Sequence, residues 1–528
     1  MRPPVAEPSG AVSAPEPGPR PWRANAPAER PLGARSAVVA ALASALLLAR
    51  ALPETDAGFA VFGVALFLVS LRGQRPRRAF FLAALQAGGL GMLLFEDLAL
   101  AARDSLGWPW PASGALVFAA LLLYSLPRAA VAPQLARLLV CRGVHGPLVG
   151  SALCVLAERA TRLGCGGMAV GELGSLAPAG GMAGEVALFC AAWAASGVLR
   201  RSRRAGAVAS ALACSLVFAA VAQGSRARAP RFECGSASVL LLPGPAWGLS
   251  GDEEPIVEAI LELSLARSRA LLRGSERLVD LVVWPEGISA LDLCRRPSLR
   301  CRLARGLRVE RNRPCLLLGE CHRGPGGELQ NAALLLDGEG RVVGRYLRER
   351  LLPFGERTPE LCAWLVGRGE DEFVPGPSGQ PLLRLPTACG RSLRLRIRLC
   401  AEALLPERYN GPKPDLDVVL ASDAMFPPES PLAKLVEADT AARSRAGGVP
   451  LVRVARGGGA LLASGEAIRR AAGPLLLRLS WGADGPQTVV SDLAGAEPNA
   501  ADCGGWIGTV FAGGKPGNAT TPTEGSSQ

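Results

Sequence analysis

Seven apolar segments crowd into the first 225 residues, at roughly 36–52, 57–71, 79–102, 113–127, 146–163, 182–198 and 206–223, and no other feature of the chain restricts its fold as much. Most approach the ~20 residues that cross a bilayer as a helix. One such run is unremarkable in the core of a soluble protein. Seven in close succession predict a membrane-spanning helical domain over about 34–225. The fifth run is the weakest, because Glu158, Arg159 and Arg162 interrupt it.

The charges between the segments alternate. Arg2, Arg20, Arg23, Arg30 and Arg35 precede the first segment. Arg72, Arg75, Arg77 and Arg78 follow the second; Arg128, Arg137 and Arg142 follow the fourth; Arg200, Arg201, Arg203 and Arg204 follow the sixth. The intervening loops are poorer in basic residues and carry Glu54 and Asp56, Asp97 to Asp104, and Glu172. Basic loops stay in the cytoplasm. The N-terminus is therefore expected inside, and seven crossings place everything after 223 outside. The formal net charge of +12 comes almost wholly from arginine, with Lys413, Lys434 and Lys515 the only lysines. Arginines gathered at the ends of apolar segments, with no aromatic-interleaved basic patch, speak for membrane orientation and against a nucleic-acid partner.

Residues 1–33 are rich in Pro, Ala, Gly, Arg and Glu and lack the apolar core of a signal peptide, so they read as a disordered tail. Residues 491–528, rich in Gly, Pro, Thr and Ser, read the same way. Between about 232 and 490 the texture is different. Short apolar runs recur at Ser238–Leu242, Leu278–Trp284, Cys315–Gly319, Ala332–Leu336, Leu393–Leu399, Asp417–Leu420, Leu451–Ala455 and Leu475–Ser480. Continuous runs of this length suit strands buried on both faces. Asp337-Gly338-Glu339-Gly340 reads as a hairpin turn, and helical patterns cover Glu254–Leu272 and Pro431–Ala446. The expected class is thus a multi-pass α-helical membrane domain followed by a layered α/β domain.

Three groups at strand ends carry the chemistry. Glu286 closes Val283-Trp284-Pro285-Glu286; Arg348 lies in the stretch Tyr346 to Glu356; Cys400 opens Cys400-Ala401-Glu402. A cysteine attacks an acyl carbonyl as its thiolate and needs a base beside it. A glutamate serves as that base, and a fixed cation stabilises the tetrahedral oxyanion. Each residue alone has a bland reading as core, cap or solvated face, and only their order points to acyl transfer through a thioester. The 14 cysteines include no CxxC pair, so no zinc or thioredoxin-like site is expected, although Cys294 and Cys301 would be free to pair in an oxidising compartment.

At these residues the chain resembles the carbon–nitrogen hydrolase (nitrilase) superfamily, and with its apolar half it resembles the apolipoprotein N-acyltransferase family over roughly 36–480. Leu351 to Pro359 is similar to the family's LVPFGE-x-x-P stretch, and Trp284-Pro285-Glu286 to its WPE. Cys400-Ala401-Glu402 is similar to its Cys-aromatic-Glu, and Ala421 to Phe426 to its SNDAWF. Ala177 to Gly184 resembles a loop before a late membrane helix. The resemblance implies a nitrilase-like α-β-β-α sandwich over 232–490. It implies Glu286 as general base, Cys400 as acylated nucleophile, Arg348 as the cation, and Glu356 and Glu402 as supporting carboxylates. It further implies a phospholipid acyl donor, a diacylglyceryl-cysteine apolipoprotein as acceptor, no metal or organic cofactor, and a place in the bacterial inner membrane with the catalytic part in the periplasm. The sequence departs from the family at Arg348, where the family has lysine, and at Ala401, Ser422 and Met425; the family's last membrane helix has no counterpart among the apolar segments. Two further readings remain open: a fold-retaining binding protein without turnover, and an amidase acting on small amides.

Overall fold

A computed structural model of the chain describes residues 31–54, 57–94, 97, 110–140, 145–164, 181–199, 235–244, 254–275, 278–289, 291–310, 312–352, 356–358, 372–405, 413–423, 426, 430–464, 467–482 and 485–492. Both tails but for residues 31–33 and 491–492, and the seventh apolar segment, lie outside these residues, as do Pro353 to Gly355 and Pro359 of the LVPFGE-like stretch, Ala424 and Met425, and Ala177 to Gly180.

Six of the apolar segments lie on helices: α1 (Ala34–Glu54), α2 (Ala57–Leu71), α3 (Pro76–Leu94), α4 (Trp110–Leu138), α5 (His145–Gly164) and α6 (Gly181–Leu199). Among the described residues, one helix, Ala34–Leu52, is long and apolar enough to cross a membrane, and Gly58–Leu71 is a shorter apolar helix. Small residues let the helices approach: Ala37, Ala41, Ala60, Ala79, Ala83, Ala129 and Ala132 are fully buried. One boundary differs from the sequence reading. The fourth helix continues through Pro127 and Pro133, so Arg128 and Arg137 belong to it and not to a loop. A proline inside a helix removes one backbone donor and favours a break, but burial of Ala129, Ala132, Leu135 and Ala136 holds this one together. Arg128 turns inward, donating to the Tyr124 carbonyl at 2.7 Å and pairing with buried Glu158 at 3.9 Å.

The rest is a sandwich of two sheets with helices outside. The first sheet has the order β13-β12-β1-β2-β3-β4-β5 and the second β11-β10-β9-β8-β7-β6 among the described residues. In the first, β1 (Gly235–Leu241), β2 (Leu281–Val283) and β3 (Cys315–Arg323) run parallel. β4 (Leu329–Leu336) and β5 (Val342–Leu347) continue it antiparallel, and β12 (Leu475–Gly482) and β13 (Gly485–Asp492) close the other side. In the second, β6 (Leu383–Pro386) precedes parallel β7 (Ser392–Leu399), β8 (Leu416–Ser422) and β9 (Leu451–Arg456), then β10 (Ala460–Ser464) and β11 (Ala467–Ala471).

The period-2 alternation of each strand sets the layers. Val239, Leu241, Val283 and Leu317 of the first sheet meet Ile397, Leu399, Val418 and Val452 of the second in a shared core. Their neighbours Leu240, Val282, Leu316 and Leu334 face outward onto α7 (Glu254–Gly274) and α8 (Pro297–Leu307), which present Leu261, Leu265, Leu303 and Leu307. On the second sheet, Ala441 of α9 (Pro431–Gly447) packs on Leu461 and Ala463. At the other end of α9, Leu432 and Leu435 join the core of the helical half. Cys294 and Cys301 do not pair: both are free thiols, the first directed to Glu320 and the second to the Glu339 carbonyl.

Candidate active site

β2, β5 and β7 each end where one of the three singled-out residues begins its turn. β2 and β5 point the same way, since two antiparallel steps separate β3 from β5. Their C-terminal ends therefore share one edge of the first sheet, and the end of β7 meets it across the sandwich.

Trp284 anchors the first arm: its ring is fully buried and its Nε1 donates to Ser268 Oγ of α7 at 3.0 Å. Glu286 follows, 6% exposed. The backbone lies so close to β3 that a Cβ on Gly319 would stand 2.6 Å from the Glu286 Cα, so only glycine fits there. Gly287, at φ +65, then turns the chain away.

The second arm brings Arg348, 3% exposed. Its Nη1 donates to Glu286 Oε1 at 2.8 Å and to Glu356 Oε1 at 2.9 Å, while Nε donates to the Arg350 carbonyl at 3.0 Å. Asn331 of β4 bridges the same two carboxylates through Nδ2, at 2.6 Å to Glu286 and 2.8 Å to Glu356. Glu356 Oε2 accepts from the Leu352 N–H at 2.8 Å, which holds Glu356 against Leu352.

The third arm is Cys400, a non-glycine residue at φ +47. A side chain in that region costs of order 1–3 kcal/mol and persists where the surroundings enforce it. Glu402 does the enforcing. Its Oε2 accepts from the Leu399 N–H at 2.9 Å and from Tyr346 Oη at 3.1 Å; its Oε1 accepts from the N–H groups of Glu349 and Arg350 at 2.8 and 3.0 Å. One carboxylate thus ties the cysteine elbow to the arginine loop. Beneath it, Asp423 receives a double hydrogen bond from buried Arg453 Nη2, at 2.6 and 2.8 Å, and Arg453 also reaches Glu437 of α9 at 3.3 Å.

The electrostatics follow from burial. Loss of water pushes Glu286 up to about 7, against the pull of Arg348 and with the push of Glu356. Burial and the Glu286 charge push the Cys400 thiol up to about 12, with Arg348 drawing it back. Burial opposes the charge on Arg348, but Glu286 and Glu356 outweigh it and hold the guanidinium above its usual range. Glu402 is likewise raised by burial, against its backbone donors. Among the described residues, two atoms in this network have no hydrogen-bond partner: Glu286 Oε2 and Arg348 Nη2. A free carboxylate oxygen and a free guanidinium N–H beside a thiol can take a proton and hold an oxyanion.

The structure therefore brings Glu286, Arg348, Cys400, Glu356 and Glu402 into one connected site. Sequence reasoning missed Asn331, whose only signal is an amide at the edge of an apolar strand, and Arg453, an arginine inside an otherwise apolar strand. Arg453 is buried and Asn331 half-buried, so both need partners, and both find carboxylates of this site.

No protein-family model matches the chain. It is similar to the apolipoprotein N-acyltransferase of Azotobacter vinelandii, 30% identical over 184 residues, which cover 31% of this chain and 32% of that protein. It is also similar to the enzyme of the same name from Rhizobium etli, 27% identical over 257 residues, covering 42% and 46%. The matched stretch spans less than half the length of either relative. Among solved structures, a carbon–nitrogen hydrolase from Helicobacter pylori aligns over 50% of this chain and 91% of its own at 14% identity, with a TM-score of 0.30.

Proposed function

We propose, from the resemblance to apolipoprotein N-acyltransferases and from the convergence of Glu286, Arg348 and Cys400, that the protein moves an acyl chain from a phospholipid to the N-terminal amine of a diacylglyceryl-cysteine apolipoprotein through a thioester on Cys400. The observation that carries this reading is the pair of buried atoms without a partner among the described residues, Glu286 Oε2 and Arg348 Nη2. An ion pair serving stability alone would satisfy both groups, because a buried polar atom without a partner costs about 1–3 kcal/mol.

In the first half-reaction Glu286 Oε2 takes the thiol proton as Sγ attacks the ester carbonyl. The raised thiol keeps its proton on sulfur at rest, so transfer accompanies carbon–sulfur bond formation. Arg348 Nη2 donates to the developing oxyanion while Nη1 stays on the two carboxylates. Collapse returns the proton from Glu286 to the departing glycerol oxygen. In the second half the lipoprotein amine attacks the thioester, Glu286 accepts its proton, and the thiol re-forms. No metal or organic cofactor enters. The helical half sits in the inner membrane as a multi-pass domain, the N-terminus cytoplasmic and the sandwich periplasmic. That arrangement suits a lipid donor and a membrane-tethered acceptor.

The test is product formation by the full chain in detergent, given phospholipid and a diacylglyceryl-cysteine peptide. N-acylated peptide is expected from the wild type and none from Cys400→Ala or Glu286→Gln. Undiminished product from Cys400→Ala overturns the proposal.

A further inference from the structure

Four metal-ligating side chains gather behind the Glu286 arm, outside the site just described. Asp292, Cys294, Glu320 and His322 each offer one donor atom, and those atoms all lie within 4.8 Å of one another. They come from two i, i+2 pairs. Glu320 and His322 share one face of β3, and Asp292 and Cys294 flank the turn that follows Glu286. Pairs separated by 26 residues leave no CxxC-like signature, which is why the sequence predicted no metal.

We propose that this cluster is a zinc site. Each carboxylate is held by one oxygen and presents the other. Asp292 Oδ2 accepts from the Arg323 N–H at 3.2 Å, which leaves Oδ1 against His322 Nδ1 at 3.1 Å. Glu320 Oε2 accepts from the Leu293 N–H at 2.9 Å, which leaves Oε1 against Cys294 Sγ at 3.7 Å. Outer partners that fix one atom of a ligand so that the other points inward are the usual support of a metal site. A tetrahedral zinc ion with bonds of about 2.0–2.3 Å sets its ligands ~3.3–3.8 Å apart. Two of the spacings, 3.1 and 3.7 Å, lie near that range and all are within 4.8 Å, so side-chain adjustments of up to about 1 Å close the shell. One thiolate, one imidazole and two carboxylates suit zinc better than calcium or magnesium, which take oxygen alone. Glu320 and His322 are buried, so filling the site displaces little water.

A cation already probes the place. Arg345 Nη1 stands 2.7 Å from His322 Nε2. The guanidinium can only donate, so Nε2 accepts and Nδ1 carries the proton toward Asp292. A zinc ion on the ring redistributes that proton, and exposed Arg345 swings into solvent. Glu320 adjoins Gly319, which abuts the Glu286 backbone. The ion therefore ties the turn after Glu286 to the strand that positions Glu286.

Cobalt(II) is the probe. The metal-stripped full chain in detergent is titrated with Co2+ and read for the sulfur-to-metal absorption band, then displaced by Zn2+. The wild type and Cys400→Ser are expected to bind one equivalent with the thiolate band. Cys294→Ser keeps the fold, by near-ultraviolet circular dichroism, and loses the band; His322→Gln weakens binding at least tenfold. Arg345→Met removes a competing positive charge and tightens binding by about tenfold. A wild type with no thiolate band, a band that survives Cys294→Ser, or unchanged affinity in both His322→Gln and Arg345→Met overturns the site.

Discussion

Arg348 holds two carboxylates with one nitrogen, and its replacement shows what the arrangement costs. Glu286 stays buried and Glu356 largely so if the guanidinium is removed, and a buried charge stripped of its partner destabilises by about 3–5 kcal/mol. Arg348→Met is expected to lower stability by that amount in denaturant unfolding and to abolish acylation; Arg348→Lys keeps the charge and restores most of the stability. A loss below 1 kcal/mol in Arg348→Met removes the ion-pair account. Glu286 sets the pH dependence. Its carboxyl is raised to about 7, and only the ionised form takes a proton, so the rate of acyl-enzyme formation rises as pH passes upward through about 7. A rate flat from pH 5 to 9 means another group is the base. At this scale the candidate residues were legible because the proposed chemistry confines them to few types: a thiol, an acid and a cation at strand ends. Asn331 was not legible, since an amide in a strand has no such restriction and its role appears only once β4 lies beside Glu286 and Glu356.

The elements that the sequence revealed are those buried on both sides. β1, β3 and β8 each hold an unbroken apolar stretch (Val239–Leu241, Cys315–Leu318 and Val418–Ala421), as central parallel strands must. β5 and β11 escaped notice because neither carries an apolar period: Val342, Val343 and Arg345 face solvent, and Arg469 and Arg470 stand side by side in β11. α8 was hidden for the same reason, although Leu299, Leu303 and Leu307 form a single buried stripe at four-residue spacing. Element packing also yields a prediction at Gly319. A methyl group there meets the Glu286 Cα at 2.6 Å and the Pro285 carbonyl at 3.0 Å, both backbone atoms that cannot swing aside. Gly319→Ala is expected to cost about 1–3 kcal/mol by overpacking and to slow acylation by displacing the base. Wild-type stability and rate in this variant remove the close-approach argument.

For the whole molecule, the succession of apolar segments announced a helical half and the change of texture announced a layered half, but how the two meet was not readable. The link is α9. Its patterned face serves two cores: Ala441 packs on the second sheet, and Leu432 and Leu435 pack among α1 and α3. Through Glu437 and Arg453 the same helix reaches Asp423 beneath Cys400. Under the proposed function, a site that takes lipid from the bilayer gains from such a link, because it holds Cys400 in a fixed place relative to the helices. The account as a whole stands on a covalent step at one sulfur. The most direct measurement is intact-protein and peptide mass spectrometry after the full chain meets phospholipid without an acceptor. The expected result is one acyl adduct per chain, mapped to Cys400, released by neutral hydroxylamine and absent from Glu286→Gln. An unmodified Cys400 under conditions where product forms, or an adduct on another residue, contradicts it.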